Sequence, residues 1–517
     1  MKKPRFKRSN RLVNGTVAWV AMILCGAFVV QGQRVGPTER TARYFDSIRN
    51  ASPQLMAFLL QMPKGGDLHN HLSGAIYAES YIQWAANSGD CVNTATMTAS
   101  LPPCSGAQVP IANALTNSVL YRQLIDAWSM RNWKFSGQSG HDHFFDTFAR
   151  FGVATYNQNG KMLSEVVARA ARGHLLYLEL MLTPDGTPTG VRSTQIGEKV
   201  GWDGNLQNIY NQLKSNGIDD TVPLSIKNLS DAEAEKDRIL RCGTAQPDPG
   251  CAVVVRYISQ VSRGSALGPV FAQMVTGFAL ANDPKSKVVA LNLVQPEDSL
   301  PSMQNFSVQM RMLQFLRPMY PHAHLSLHAG ELAPGLVPPE GLGIHVRDSV
   351  LTAQADRIGH GVDVMHETDP VSLLHEMVRR HVMVEICLTS NDLILGISGP
   401  QHPLATYLKY GVPVALATDD EGVSRSEMSR EYLRAVEDQG LNYAQLKMIA
   451  RNSLEYAFIG GASLWSDAQK FVPIAQCTPA MTTMKLSGGC QQFIAGSDKA
   501  KLQWKLEEQL REFERQW

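Results

Sequence analysis

The chain has 517 residues, of which 44% are hydrophobic and 18% are charged, so it can bury a large core. Its formal net charge of +1 gives no electrostatic case for a nucleic-acid partner. The length predicts either about two to four domains or one large barrel with additions.

Residues 1–32 have the pattern of an export signal. A basic segment from Lys2 to Arg11 precedes an apolar run from Val17 to Val30. This run is about 14 residues long, which is short for a membrane span but typical of a signal peptide. We therefore predict an exported protein, periplasmic or secreted. The alternative is an uncleaved N-terminal anchor that holds the protein on the membrane.

Six of the eight cysteines fall into near-neighbour pairs, and each pair brackets a loop rich in Pro, Gly or Ser. We predict three short disulfides, as an oxidising compartment permits. The alternative is six unrelated free thiols. The predicted pairs are Cys91 with Cys104, Cys242 with Cys251, and Cys477 with Cys490.

Two segments flank the main domain, which we predict over residues 62–460. Residues 33–61 form a predicted helical arm, with a helical pattern from Thr38 to Leu60. Residues 461–517 form a C-terminal extension that ends in a charged amphipathic helix from Lys499 to Trp517. We expect this helix to pack on the exterior of the main domain or on a partner subunit.

Eight runs of strand length alternate with helical segments in the main domain. This count and order predict a (β/α)8 barrel of the TIM type. The runs are apolar throughout, as expected for parallel strands buried on both faces. A doubly wound sheet is the alternative. The first run contains residues 67–71, and the others are Leu175–Leu182, Ala252–Ile258, Val288–Val294, His324–Leu327, Arg357–Gly359, Val382–Leu388 and Val412–Ala417.

Polar side chains occur at the ends of four of these strands. In a barrel of this type, functional groups lie at the carboxyl ends of the strands and in the loops that follow. The sequence therefore predicts one site built from four distant parts of the chain. The candidates are His69 and His71 after strand one, His328 and Glu331 after strand five, His360 after strand six, and Asp419 and Asp420 after strand eight.

Three neutral imidazoles and one carboxylate suit a borderline divalent cation, most often zinc. An open coordination position would hold a water whose pKa the metal lowers toward neutrality. Side chains of adjacent strand residues diverge, so only one of Asp419 and Asp420 can bind the metal while the other faces a ligand. Strand four, from Val288 to Gln295, contains no lysine that could bridge two ions, so we predict one zinc per chain.

A second His-x-His pair has a different context. His141 and His143 precede a group of phenylalanines at helical spacing. This pattern predicts a capped helix that packs Phe144, Phe145 and Phe148, rather than a second metal site.

Five short motifs occur in a fixed order along the chain. They are Met62-Pro63-Lys64-Gly65 followed by His69-Asn70-His71, then His328-Ala329-Gly330-Glu331, Gly359-His360-Gly361, Thr389-Ser390-Asn391 and Thr418-Asp419-Asp420. As a set they resemble the adenosine deaminase family over roughly residues 62–460. The first motif, the long arm and the signal are most similar to the secreted, growth-factor-related branch of that family.

The resemblance implies a role for each matching residue. Glu331 would carry a proton to the purine ring nitrogen next to the attacked carbon, and His360 would orient and polarise the hydroxide. Asp420 would hydrogen-bond the nitrogen of the purine's imidazole ring. One zinc ion would be bound by His69, His71, His328 and Asp419.

Three positions depart from the family pattern. Ser73 stands where the family usually has an aspartate that meets the ribose. Gln295 replaces a glycine whose backbone meets the purine, and Met181 stands where many members have arginine. We therefore expect intact zinc chemistry and altered sugar recognition, with Ser73 and Gln295 as candidate substrate-binding residues.

Several further residues are interpreted as supports. Ser390 and Asn391 are predicted to shape the site rather than to react, and Glu179 and Arg256 are predicted to be buried polar supports at strand ends. Trp133 and Phe148 form either an apolar wall over the purine or part of the core.

The leading expectation is an exported, zinc-dependent enzyme that deaminates adenosine and 2′-deoxyadenosine. One alternative is a deaminase of another aminopurine or amino-heterocycle, which Ser73 and Gln295 motivate. Another is a barrel that binds a nucleoside or a cell-surface partner without catalysis, although the intact Glu331 and His360 argue against it. By resemblance, the N-terminal arm also suggests a homodimer.

Overall fold

The computed structural model describes residues 36–517. The predicted signal or anchor, residues 1–32, lies outside the described residues. Within residues 36–517, no helix combines the length and the apolar character needed to cross a membrane.

Eight parallel strands form one sheet in which each strand pairs with the next along the chain. Each predicted run overlaps an observed strand, and the bounds differ by up to four residues at the ends. The strands are β1 Gly65–His71, β2 Leu175–Leu182, β3 Val254–Ser262, β4 Val288–Val294, β5 His324–Ala329, β6 Arg357–His360, β7 Met383–Ile386 and β8 Val414–Leu416.

Backbone contacts between β1 and the segment after β8 bring the two edges of the sheet together. The amide of Asp419 donates to the carbonyl of His69 at 2.9 Å, and the amide of His71 donates to the carbonyl of Asp419 at 2.9 Å. The sheet is therefore a nearly closed barrel, which confirms the predicted (β/α)8 fold and excludes the doubly wound alternative.

Within residues 36–517, twenty α-helices surround or extend the barrel. They are α1 Pro37–Ile48, α2 Ser52–Gln61, α3 Ala78–Ser88, α4 Ser118–Ala127, α5 Gly140–Phe151, α6 Asn159–Arg172, α7 Arg192–Val200, α8 Leu206–Ser215, α9 Thr221–Leu240, α10 Leu267–Asn282, α11 Leu300–Leu316, α12 His345–Leu351, α13 Pro370–Arg380, α14 Leu388–Leu395, α15 Leu404–Tyr410, α16 Met428–Glu437, α17 Tyr443–Glu455, α18 Thr478–Thr483, α19 Gly488–Ala495 and α20 Asp498–Gln516.

The predicted arm is two helices rather than one. A turn separates α1 from α2, and Pro53 lies in the first turn of α2, where its missing amide proton costs no helical hydrogen bond. The arm packs on the chain's own C-terminus: the ring of Tyr44 stacks on Trp517 with centroids 4.8 Å apart, and Phe58 lies 5.1 Å from the same ring.

Helix α20 covers the part of the barrel near the start of β1 and β2. Leu502, Leu506 and Leu510 are buried in one apolar cluster with Leu68 and Tyr177. The division of the chain at residues 61 and 461 stays a prediction, although this packing matches the expected position of the C-terminal helix.

The three predicted disulfides are present. They join Cys91 to Cys104, Cys242 to Cys251, and Cys477 to Cys490. The first ties together a small sheet of the strands Cys91–Asn93, Ala99–Ser100 and Gln108–Pro110. Among the described cysteines, Cys387 is free and buried.

Candidate active site

Three imidazoles and one carboxylate converge at the carboxyl ends of the barrel strands. Nε2 of His328 lies 3.2 Å from Nε2 of His69 and 3.3 Å from Nε2 of His71. Oδ1 of Asp419 lies 3.3 Å from Nε2 of His69 and of His71. Ligands at about 2.0–2.1 Å from a tetrahedral zinc ion are separated by roughly 3.3–3.4 Å. The four atoms therefore have the spacing of one tetrahedral metal site.

The opposite ring nitrogens are held by buried acceptors. Oε2 of Glu385 lies 2.7 Å from Nδ1 of His69. Oδ1 of Asn292 lies 2.6 Å from Nδ1 of His328 and also accepts that residue's backbone N–H at 3.0 Å. A proton held on Nδ1 leaves the Nε2 lone pair directed at the common centre, as in metal-bound histidines.

The other two candidate ligands are also fixed by neighbours. The side-chain amide nitrogen of Gln260 lies 2.7 Å from Nδ1 of His71. Rotation of the amide group by 180° would place its oxygen there instead, where it accepts from an Nδ1–H. The hydroxyl of Ser390 donates to Oδ2 of Asp419 at 2.6 Å. Oδ1 of Asp419 is buried and has no hydrogen-bond partner in the described structure. It is therefore available to a cation.

Glu331 faces the same centre with a carboxyl group that resists ionisation. Burial, together with the nearby charges of Asp419 and Glu297, raises the pKa of Glu331 well above its usual value. Its backbone position is fixed by Glu297, whose carboxylate accepts from the N–H of Glu331 at 2.8 Å and from the N–H of Gly330 at 3.1 Å. Glu331 is thus held in place, and its surroundings favour the protonated form.

His360 lies beside Glu331, at the end of β6. Nδ1 of His360 is 3.8 Å from Oε1 of Glu331, and the amide nitrogen of Asn391 is 3.0 Å from the same Nδ1. Burial lowers the pKa of His360 to about 3, so the ring is neutral. Its φ of 68° is unusual for a non-glycine residue, and such backbone strain often marks functional sites.

A cavity of about 570 Å³ opens over these groups. It is lined by His71, Ser73, Phe144, Phe145, Phe148, Gln260, Gly264, Val294, Gln295, Pro296, Ser299, Pro301, His328, Glu331, Asp419 and Asp420. Asp420 is buried there, and burial and the neighbouring Asp419 raise its pKa well above its usual value. None of the described residues that line the cavity is a lysine or an arginine.

Gln295 lines this cavity, and its backbone has a conformation that favours glycine. Its φ is 86°, a region that favours glycine, and its side-chain Oε1 accepts from the backbone N–H of Gly264 at 2.9 Å. The amide oxygen of Gln295 is thus engaged by Gly264, whereas its NH2 group and its backbone are left to meet a ligand.

The apolar wall of the cavity comes from α5. Phe144, Phe145 and Phe148 line it, whereas Trp133 is not among its lining residues. The helix begins as predicted: the hydroxyl of Ser139 accepts from a backbone N–H of the first turn at 3.0 Å. His141 lies outside the convergent group and pairs instead with Asp142 and Asp298.

The positions of the candidate residues in the sequence were sufficient to predict which side chains converge. They did not show which neighbouring residues hold those side chains in place. Glu297, Glu385, Asn292 and Gln260 were not predicted. A polar residue inside an apolar strand run, such as Asn292 in β4 or Glu385 in β7, was the available signal. Gln260 in β3 carries the same signal.

The fold and the cluster define a class, barrels in which His and Asp side chains could hold a metal ion, and comparison with known proteins refines it. Residues 227–463 match the family model described as adenosine deaminase. The chain is 33% identical over 152 residues to an adenosine deaminase of Yersinia pseudotuberculosis, covering 29% of this chain and 42% of that protein. A Serratia proteamaculans adenosine deaminase is 35% identical over 136 residues, covering 26% and 38%. The chain therefore spans less than half the length of these curated relatives.

Solved structures support the fold. An adenine deaminase from Arthrobacter aurescens matches with a TM-score of 0.50 and 16% identity, over 77% of this chain and 94% of that one. An Arabidopsis N6-mAMP deaminase matches with a TM-score of 0.50 and 18% identity, over 78% and 96%. The matched part of the chain, residues 227–463, is thus similar to the adenosine deaminase family.

Proposed function

We propose that this protein is a zinc-dependent adenosine deaminase that hydrolyses adenosine and 2′-deoxyadenosine to inosine or 2′-deoxyinosine and ammonia. The observation that carries the proposal is the convergence of four metal-ligand atoms at tetrahedral spacing beside a protonated, buried Glu331. The match of residues 227–463 to the adenosine deaminase family supports the choice of reaction.

His69, His71, His328 and Asp419 would hold the ion, because three Nε2 atoms and one carboxylate oxygen form a donor set that suits zinc. A bound zinc ion supplies a water of lowered pKa, which serves as the nucleophile for the amino-bearing carbon. The ligand residues themselves are kept in place by the buried acceptors behind them.

The other site residues handle protons and orientation. Glu331, protonated through burial and nearby charge, donates its proton to the ring nitrogen next to the attacked carbon, which neutralises charge as the tetrahedral centre forms. Asp420, also kept protonated, hydrogen-bonds the nitrogen of the purine's imidazole ring. Of the two protons of the attacking water, one would replace the proton that Glu331 gave to the ring nitrogen and the other would pass to the amino group. The bond between the carbon and the amino nitrogen then breaks, ammonia leaves and the 6-oxo product forms.

The cavity favours an uncharged nucleoside over a nucleotide. Phosphate groups in proteins are bound by Arg, Lys or clusters of backbone N–H groups, and the described lining offers no cationic side chain while it carries three acidic ones, Glu331, Asp419 and Asp420. The phenylalanine wall of α5 suits the apolar faces of a purine. AMP and its derivatives are therefore expected to be poor substrates.

A second candidate is deamination of a free aminopurine such as adenine. Ser73 lines the cavity with a hydroxyl, which binds a sugar hydroxyl more weakly than a carboxylate does. A cavity that gains little from the sugar discriminates less between nucleoside and base.

We also propose that the protein is exported, because three disulfides are stable in an oxidising compartment. Whether the N-terminal segment anchors the protein remains part of the sequence-based prediction. The homodimer prediction gains no support from the arm, since the arm packs on α20 of the same chain.

The test compares turnover of adenosine, 2′-deoxyadenosine, adenine and AMP by purified protein whose metal content has been measured. We expect one zinc per chain and the highest kcat/KM for the two nucleosides. Glu331→Gln should lose most of its activity while its zinc content is unchanged, and Glu340→Gln, at an exposed position, serves as the control. Metal-free active enzyme would overturn the mechanism, and faster turnover of adenine would replace the nucleoside by the free base.

A further inference from the structure

A buried histidine outside the metal-ligand cluster is fixed in one tautomer by a backbone N–H two residues further along the sequence. The N–H of Leu404 donates to Nδ1 of His402 at 3.2 Å. A ring nitrogen that accepts a hydrogen bond carries no proton, so the proton of the neutral ring is on Nε2. Burial lowers the pKa of His402 to about 4, with the nearby charge of Arg434 acting in the same direction, which keeps the ring neutral near pH 7.

This tautomer sets the orientation of the next side chain. Nε2 of His402 lies 3.1 Å from Oδ1 of Asn391, so it donates to that oxygen. The amide nitrogen of Asn391 then points the other way and donates to Nδ1 of His360 at 3.0 Å. All three side chains are buried. The N–H of Leu404 therefore sets the direction of both hydrogen bonds, from His402 to Asn391 and from Asn391 to His360.

The chain of bonds ends at the candidate active site. Because Nδ1 of His360 accepts, its proton is on Nε2, and Nε2 is buried without a hydrogen-bond partner in the described structure. The ring centroid of His360 lies 4.9 Å from those of His69 and His328. The Nε2–H of His360 is thus a hydrogen-bond donor without a partner beside the candidate metal ligands.

We propose that His402, acting through Asn391, is a positioning residue that holds His360 in its Nε2–H tautomer. In this form His360 donates a hydrogen bond toward the attacking water and cannot use Nε2 as a metal ligand. The inference deepens the proposed function and rests on it for the identity of the water, whereas the tautomer itself is independent of any substrate.

The opposite arrangement is inconsistent with the backbone. If Asn391 were turned so that its oxygen faced His360, its amide nitrogen would need an acceptor on Nε2 of His402. The proton of His402 would then be on Nδ1, where it would face the N–H of Leu404 without an acceptor. Two donors in contact inside a buried region would be costly, so one orientation is selected.

The direct test is NMR of full-length, zinc-loaded protein labelled with 15N-histidine, because long-range 1H–15N correlations distinguish the two neutral tautomers. We expect His360 and His402 both to be Nε2–H near pH 7. Assignment uses the variants His360→Gln and His402→Gln. An Nδ1–H signal for His360 in the wild-type protein would overturn the proposal whatever the substrate proves to be.

The functional test is Asn391→Asp. A carboxylate accepts from both rings, so His360 should change to the Nδ1–H tautomer and lose its donor toward the site. We expect kcat to fall about 100-fold or more, with a smaller change in KM and an unchanged zinc content. His402→Gln, whose amide can still donate to Asn391, should retain more activity than His402→Phe.

The exposed His375→Gln on α13 is the control. An Asn391→Asp protein that binds zinc, keeps the Nε2–H tautomer and keeps wild-type kcat would refute the positioning role. If the wild-type tautomer is Nε2–H but adenosine is not turned over, the tautomer assignment stands and the proposed function fails, so the two outcomes are distinguishable.

Discussion

Glu385 places one carboxylate oxygen 2.7 Å from Nδ1 of His69, and both side chains are completely buried. Its other oxygen accepts from Nε of Arg357 at 2.6 Å and from the hydroxyl of Ser326 at 2.7 Å. Although burial opposes ionisation, Arg357 and His69 lower the pKa of Glu385 to about 2. Through Glu385, the candidate metal ligand His69 is thus joined to Arg357, whose guanidinium also pairs with the buried Glu179.

The first prediction concerns this carboxylate. Glu385→Gln should weaken zinc binding about 10–100-fold, because a neutral amide is a weaker acceptor for the Nδ1–H of His69 than a carboxylate is. Competition with a chromophoric chelator measures the change. Glu340→Gln, which removes an exposed carboxylate in the loop after β5, should leave zinc affinity unchanged. Equal affinities for wild type and Glu385→Gln would show that Glu385 serves the fold alone.

The second prediction concerns Glu297, which accepts from the backbone N–H groups of Gly330 and Glu331. An amide at this position would oppose one of those donors with its own NH2 group, so the loop that carries Glu331 should shift. We expect Glu297→Gln to lower kcat about 10-fold or more, since small misplacements of a reacting group are costly. Steady-state kinetics with parallel zinc analysis is the measurement.

The matched control is Glu340→Gln, an exposed carboxylate in the loop after β5. If Glu297→Gln binds zinc normally and also keeps wild-type kcat, Glu297 does not position the acid. A loss of zinc together with kcat would instead place its effect at His328, whose backbone is close to the Arg263 that pairs with Glu297.

The fold was predictable because its signals are local and repeated. Seven apolar strand runs, preceded by the polar first strand and alternating with helices, specify a barrel without any knowledge of which residues touch. The metal-ligand candidates were predictable for the same reason: a strand end fixes where His69 or His328 must lie. The sequence pattern of the arm was less informative, because it did not mark the turn between α1 and α2.

The supports of the site could not be predicted, because they depend on register between strands. The contact of Glu385 in β7 with His69 in β1 joins residues 316 positions apart. Gln295 gives a second example: its positive φ and its bond to Gly264 are tertiary features. No local signal states that a glutamine will adopt a backbone conformation that favours glycine.

The third prediction is a pH dependence at the edge of the cavity. His141 on α5 lies 3.0 Å from Asp298, in the loop after β4, and 3.0 Å from Asp142. Burial opposes the charge on His141, but the hydrogen bonds to Asp298 and Asp142 raise its pKa to about 9. A raised pKa contributes stability that is fully present below about pH 6.5 and is lost as pH rises through about 9.

We therefore expect wild type to have a higher Tm than His141→Asn at pH 6, with the difference disappearing by about pH 10. Thermal unfolding of both proteins across this range is the measurement, and His375→Asn corrects for loss of an exposed histidine. A Tm difference that is constant with pH would mean that packing of α5, rather than the charge pair, accounts for it.

The fourth prediction concerns sugar recognition at Ser73, which lines the cavity next to the metal-ligand cluster. Ser73→Asp introduces a carboxylate, and a hydrogen bond from a sugar hydroxyl to a charged acceptor contributes roughly 1.5–3 kcal/mol. We expect kcat/KM for adenosine to rise about 10-fold relative to that for adenine. The gain should be near the lower end of the range, since the negative charge of the nearby Asp419 opposes a further negative charge. Ser73→Ala is the control and should change the ratio little. An unchanged ratio in Ser73→Asp, with both substrates still turned over, would show that the sugar does not approach this position and that another part of the cavity selects the substrate.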